Sequence, residues 1–261
     1  MTSPLAQDLA DFSTRLLSQD LDQRLQSVVA AYAGQRIVFS TSLGAEDQLV
    51  TEVIARLKLP IDIFTLETGR LFAETLSLLD ETEQHYNIHI QRFRPDPQAL
   101  KAYVDHYGLN GFYDSIELRK QCCGIRKVEP LNRALSGADI WITGLRQQQS
   151  AFRQNLDFLQ QDRDRQLIKF NPLLDWTQEQ LWQTLKARQV PVNPLHNKGY
   201  PSIGCEPCTR AIKPGEDERA GRWWWENPQQ SQQECGLHVA QPCSNNEGNQ
   251  NDTKANPYSV E

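Results

Sequence analysis

The chain has 261 residues, of which 39% are apolar, enough to bury a core as one main domain with an extension. Its formal net charge of −6 argues against wholesale binding to nucleic acid, which calls for a basic face. There is neither a basic-then-apolar leader nor an apolar run long enough to span a bilayer, so a cytoplasmic protein without a membrane partner is expected.

Apolar positions recur at helical intervals over residues 5–33, and 1–34 is read as a segment of N-terminal helices. The period then changes. A β-branched and aromatic run at 36–41 leads through Ser42-Leu-Gly-Ala-Glu-Asp47 into a helical pattern at 48–57. The cycle repeats with a strand at 61–66, a helix at 71–86, a strand at 88–93 and a helix at 97–107. Residues 115–135 read as helical at both ends, with Cys122 and Cys123 in the middle. A strand at 138–143 and another at 167–170 follow, and Thr177 with Gln180 forms a capping-box start for a helix to 188. Such alternation predicts an α/β fold, a mostly parallel sheet with helices on both faces. From 191 to 221 the pattern loosens into Pro- and Gly-rich chain, and 244–261 is a polar, Asn-rich tail expected to be disordered. The predicted division is therefore 1–34, a body at 35–225, a cysteine-bearing mobile segment at 226–243, and the tail.

Ligands of such sheets bind at the carboxyl ends of strands. Three segments begin there: 40–47, 66–70 and 143–150. The first offers hydroxyls, Gly44 and a helix N-terminus, a combination suited to an anion. An ordinary strand-to-helix turn with an acidic cap explains Ser42, Gly44 and Asp47 equally well, and the loop lacks the spacing and lysine of a Walker A motif.

The six cysteines form a pattern: adjacent Cys122 and Cys123, spaced Cys205 and Cys208, and Cys235 within Glu-Cys-Gly-Leu-His238, with Cys243 beyond. In a reducing compartment such clusters bind metal or act chemically rather than form crosslinks. Cys205-Glu-Pro-Cys208 alone suits a zinc knuckle. The adjacent pair does not, because structural zinc pairs have intervening residues to wrap around the ion, and this tilts the reading toward a [4Fe–4S] cluster. Cys235 is then left free to act as a nucleophile; the bland alternative is a buried structural thiol, which its polar and small neighbours disfavour. Basic residues concentrate at 119–127, at Arg146 and Arg153, and at 210–222, which keeps an anionic small molecule in view.

The Ser42–Asp47 loop, Leu66-Glu-Thr-Gly-Arg70, Cys122-Cys123 with Lys127, Thr143-Gly-Leu-Arg-Gln-Gln-Gln-Ser150, Gly204-Cys-Glu-Pro-Cys-Thr-Arg210, the run Pro214 to Trp225 and Glu234-Cys-Gly-Leu-His238 together resemble the assimilatory adenylyl-sulfate reductase family, from about residue 35 to 238. The resemblance implies an adenine nucleotide α-hydrolase-like sheet and a sulfonucleotide-binding body at 35–225. It further implies a [4Fe–4S] cluster on Cys122, Cys123, Cys205 and Cys208, adenylyl sulfate as substrate, and thioredoxin as electron donor. Cys235 is the implied nucleophile, with His238 near it. Lys127, Arg219 and Arg222 match the family's substrate-binding basic positions. Leu66 and Gly144 are expected to offer backbone groups to the adenine or ribose, and Arg146, Gln149, Ser150 and Arg153 to wall the site. For Lys127 the bland alternative is a solvated helix residue.

Three departures stand out: Gln233 where lysine commonly precedes the Glu-Cys-Gly motif, Glu67 where aspartate is usual, and Cys243 with no counterpart. His196 is read as structural, and Trp223 to Trp225 as an anchor for the tail. The rival readings are reduction of the 3′-phosphorylated substrate, an adenylating or tRNA-thiolating enzyme of the same broad group, and a non-catalytic iron–sulfur sensor.

Overall fold

The computed structural model describes residues 4–149, 153–154, 156–226 and 237. Two helices, α1 (Pro4–Leu17) and α2 (Leu21–Ala31), open the chain. Asp20 starts α2 by accepting from the Gln23 backbone N–H, while the Gln23 side chain accepts from the Asp20 N–H. The alternation read from the sequence then follows: β1 (Ile37–Thr41), α3 (Ala45–Arg56), β2 (Asp62–Leu66), α4 (Ala73–Tyr86), β3 (Ile90–Phe93) and α5 (Pro97–Tyr107). Next come α6 (Ile116–Cys123), α7 (Glu129–Leu135), β4 (Ile140–Ile142), β5 (Leu159–Asp162), β6 (Leu167–Phe170) and α8 (Gln178–Ala187).

The strands form one six-stranded sheet in the order β3-β2-β1-β4-β6-β5, parallel except where β5 runs antiparallel to β6. Side chains alternate across it, as the period of two demands. Ile37, Phe39, Ile140 and Ile142 join Leu25 of α2, Leu49 and Val53 of α3, Leu78 of α4 and Leu181 of α8 in one core. Val38 and Trp141 point the other way and pack on Leu131 and Leu135 of α7. Helices therefore cover both faces. No helix among the described residues is long and apolar enough to cross a membrane.

Three local differences from the sequence reading matter. First, α3 begins at Ala45 rather than at 48, because Gly44 takes the extended N-cap conformation; Glu46 and Asp47 then lie in the first turn, where acidic residues complement the helix dipole. Second, Leu159–Asp162 pairs at the sheet edge although Leu-Gln-Gln-Asp carries too little apolar alternation to announce a strand. Third, α6 and α7 are joined by a π-helical turn, Gly124–Val128. Pro130 has no N–H to give the carbonyl one turn back, which loosens the helical ladder at this point. The wide turn carries Arg126 and Lys127 directly after the cysteine pair.

Candidate active site

The carboxyl ends of β1, β2 and β4 open on a cavity of about 220 Å3. The loop after β1 shapes its floor. Leu43 sits at φ 62°, a left-handed conformation unusual for a leucine; burial of its side chain and a hydrogen bond from its N–H to Thr41 Oγ1 (3.0 Å) hold it there. Asp47 folds back from α3 and accepts from both the N–H and the hydroxyl of Ser42, each at 2.6 Å. Burial pushes the Asp47 carboxyl up to about 6 against those two hydrogen bonds, with the Glu46 charge adding to the rise. The loop is thereby closed on itself, leaving the first-turn N–H groups of α3, which have no helical acceptor, at the cavity end.

Ser42, Gly44, Asp47, Leu66, Lys127, Gly144, Arg219 and Arg222 all line this cavity. Gly144 is there because nothing larger fits, since Asp47 Oδ1 occupies the place of a β-carbon. Gly204 plays the same part for Arg222, whose guanidinium overlaps the β-carbon position of that glycine. Arg222 Nη1 donates to Ser202 Oγ (3.3 Å) and Ile203 O (3.4 Å), its Nε is buried with no partner, and it lies over the Trp223 ring at 4.9 Å. Arg219 lies over the same ring at 6.0 Å. One end of the cavity is therefore basic.

The lining also includes two acids, Glu46 and Glu218. Arg146 is not among the residues bordering the cavity, and its buried Nη1 has no hydrogen-bond partner. Its buried guanidinium instead donates through Nε to Glu46 Oε1 (2.7 Å) and stands 3.6 Å from Glu218 Oε2, bracing two carboxylates from behind. Gln149 Nε2 also donates to Glu46 (2.8 Å). Burial raises the Glu218 carboxyl above its usual range, against the pull of Arg146. Glu46 and Glu218 escaped the sequence reading because nothing local distinguishes them from solvated acids. His196 also borders the cavity, with Nδ1 2.9 Å from Tyr200 O and burial lowering its pKa. Glu67 turns away: it accepts from the Gly69 N–H (2.7 Å) and from Arg94 Nε (2.9 Å).

Beside the large cavity lies a small one, about 20 Å3, lined by Cys122, Cys123, Cys205 and Cys208 with Arg119, Arg126 and Phe112. The Cys205–Cys208 segment is held in place by a bridge from Leu71 to Cys205, by the Glu206 N–H donating to Arg70 O (2.8 Å), and by the Trp223 N–H donating to Cys208 O (3.1 Å). All four cysteines are buried and none is paired in a disulfide. Burial raises the Cys122 and Cys208 thiols, the latter to about 12. At Cys205 burial is outweighed by Lys127, by the Thr68 hydroxyl 3.3 Å from the sulfur, and by Arg222 and Arg126, so its pKa falls.

This donor set suits a multi-iron centre: four soft sulfurs rim one cavity, cations surround it, and the buried Trp223 indole N–H has no acceptor. Among the described residues no three His, Cys, Asp or Glu side chains close tightly enough for a single metal ion. Lys127, Cys205 and Trp223 belong to both cavities and form the wall between them.

Cys235, His238, Ser150, Gln233 and Cys243 lie outside the described residues. Leu237 is described, and it lines the large cavity and packs on the apolar cluster of Phe64, Leu131 and Trp141.

The phosphoadenosine phosphosulfate reductase domain family matches residues 36–211. The adenosine 5′-phosphosulfate reductase of Agrobacterium fabrum is 56% identical over 233 residues, 89% of this chain and 88% of that protein. That of Sinorhizobium fredii is 54% identical over 243 residues, 93% of this chain and 95% of that one. The crystal structure of phosphoadenylyl-sulfate reductase from Candida auris superposes with a TM-score of 0.68 at 22% identity, covering 81% of this chain and 98% of that one, a likeness of fold.

Proposed function

The chain belongs to the phosphoadenosine phosphosulfate reductase domain family, and on that premise we propose that it reduces adenosine 5′-phosphosulfate to sulfite and AMP in assimilatory sulfate reduction, toward cysteine synthesis. The observation that carries this reading is the cavity's basic lining: Arg219 and Arg222 stack on Trp223, which with Lys127 and Cys205 forms the wall shared with the small cysteine-lined cavity. A phosphosulfate anhydride anion needs such a corner, since charge-assisted hydrogen bonds to anionic oxygens are the strong ones. Main-chain groups at Leu66 and Gly144 take the nucleoside, and Gly44 and the first turn of α3 present N–H donors. Asp47 acts on the loop, holding Ser42.

In the proposed reaction the Cys235 thiolate attacks the sulfur of the substrate. An S–S bond forms, the S–O bond to the phosphate breaks, and AMP leaves with the electron pair, so Cys235 becomes an S-sulfonate. A thioredoxin dithiol then displaces sulfite and is oxidised to its disulfide, restoring Cys235 and supplying the two electrons that take S(VI) to S(IV). The basic corner offsets repulsion between thiolate and sulfate and favours the ionised thiol; His238, three residues after Cys235, is assigned to support it. Cys122, Cys123, Cys205 and Cys208 would hold a [4Fe–4S] cluster. When bound, that group supplies fixed charge beside Lys127, while both electrons come from thiols.

The test is a peptide-level mass spectrum of anaerobically purified protein mixed with adenylyl sulfate and no reductant. A sulfonate on the Cys235 peptide, released as sulfite by thioredoxin, is the expected result. An adduct with only the 3′-phosphorylated nucleotide moves the assignment to that substrate, and no adduct with either overturns the reaction.

A further inference from the structure

The two cysteine pairs come from distant parts of the chain, and among the described residues no backbone hydrogen bond joins α6 to the short helical turn Glu206–Cys208. Side chains do. Arg119 stands three residues before Cys122 and four before Cys123, hence on the same side of α6 as the pair, and it lines the small cavity with them. Its guanidinium grips Glu226 in a two-pronged pair, Nε to Oε1 at 2.8 Å and Nη2 to Oε2 at 3.0 Å, with 1% and 2% of the two side chains exposed. The Glu226 N–H donates to Trp223 O (2.9 Å), the Trp223 N–H donates to Cys208 O (3.1 Å), and the Trp223 ring lies 4.8 Å below the same guanidinium.

A parallel link runs from the other side of the pair. Arg126 Nη1 donates to Thr68 O (2.6 Å), and Thr68 Oγ1 meets Cys205 Sγ at 3.3 Å. One arginine on each flank of Cys122-Cys123 thus reaches one member of the second pair.

We infer that the buried Arg119–Glu226 pair is a coupling device: it positions the Cys122–Cys123 helix against the Cys205–Cys208 segment, and a filled cysteine site in turn holds the Trp223–Glu226 turn in place. This rests on the reading of the four thiols as cluster ligands. A buried ion pair adds little net stability over an apolar one, but its two fixed hydrogen bonds define geometry, and removing one partner strands a charge. Coupling between two events is reciprocal by thermodynamic necessity. Cys235 follows Glu226 by nine residues in the sequence, so the state of the thiol site bears on where that stretch of chain starts.

The test uses the anaerobically purified holoprotein. Iron and acid-labile sulfide are measured first, then visible absorbance is followed under a ferrous chelator. E226Q is expected to lose its iron about tenfold faster than the parent, within the range typical of site-to-site coupling, and E226D to recover most of the difference. The urea midpoint of each variant separates this from general loosening: a rate change that merely tracks the midpoint overturns the inference. Should E226Q fail to fold, the reciprocal measurement needs only the parent chain. Chymotrypsin is expected to cut at Trp223 to Trp225 several-fold faster after chelation than before, and equal cutting overturns the inference. A parent protein that carries no iron or sulfide removes the cluster reading itself, and that result is distinct from equal rates in a loaded protein.

Discussion

The Asp47 carboxylate occupies the space that a β-carbon on Gly144 would need, so the end of β4 and the first turn of α3 are matched through a missing side chain. Asp47 cannot step aside cheaply, because both Ser42 donors hold it. Gly144→Ala is therefore expected to push the Ser42–Asp47 loop out of place, at the 1–3 kcal/mol typical of overpacking. Adenylyl sulfate or AMP binding measured by calorimetry should weaken about tenfold or more, for a melting temperature lowered by only a few degrees. Binding equal to that of the parent would show that the loop tolerates the shift.

Asp47 also carries a pH dependence with a definite sign. Its carboxyl titrates near 6 in the folded chain against an ordinary 3.8, so the folded state holds the proton more tightly than the unfolded state. The stabilisation is complete below pH 3.8 and is lost as pH rises through about 6. Asp47→Asn stays uncharged, so its stability relative to the parent should rise between pH 5 and pH 7.5, by on the order of 1 kcal/mol. Urea midpoints at the two pH values measure this; parallel midpoints would refute it.

Arg222 and Arg146 should fail in different ways. Arg222 lines the cavity with an unpartnered Nε, whereas Arg146 sits behind the wall between Glu46 and Glu218. Arg222→Ala is expected to weaken nucleotide binding by about 2 kcal/mol, the scale of a hydrogen bond to a charged group, with thermal stability nearly retained. Arg146→Ala strands two carboxylates and should cost about 3 kcal/mol of stability, visible in the melting temperature. Calorimetry and thermal melts on both variants separate the two roles.

The cysteines divide by position. Cys122→Ser, Cys123→Ser, Cys205→Ser and Cys208→Ser are each expected to purify with sharply reduced iron and acid-labile sulfide, because each removes one lining thiol of the small cavity. Cys235→Ser and Cys243→Ser should keep both. Of these two, only Cys235→Ser should lose the sulfonate adduct. Full iron in any of the first four would remove that residue from the proposed ligand set.

The sequence by itself determined the mostly parallel α/β sheet and the family. The switch of apolar period from 3.6 to 2 at residue 36, repeated along the chain, is local information and needs no partner to be read. So are the Cys-Cys and Cys-x-x-Cys spacings and the motifs around Ser42, Thr143 and Cys235, which carry the family. Tertiary structure alone decided which side chains face which. Arg146 looks like its cavity-lining neighbours in sequence, yet Glu46 and Glu218, brought up by α3 and the 214–222 loop, draw it behind the wall. Glu67 departs from the family residue but turns to Arg94, so its extra methylene falls outside the cavity. The edge strand β5 exists only because β6 offers it a ladder, and Glu226 matters because it meets Arg119 from the far end of the body. All but the β5–β6 hairpin rest on a pairing between groups remote in sequence, and a local pattern records propensity, not the partner that folding delivers.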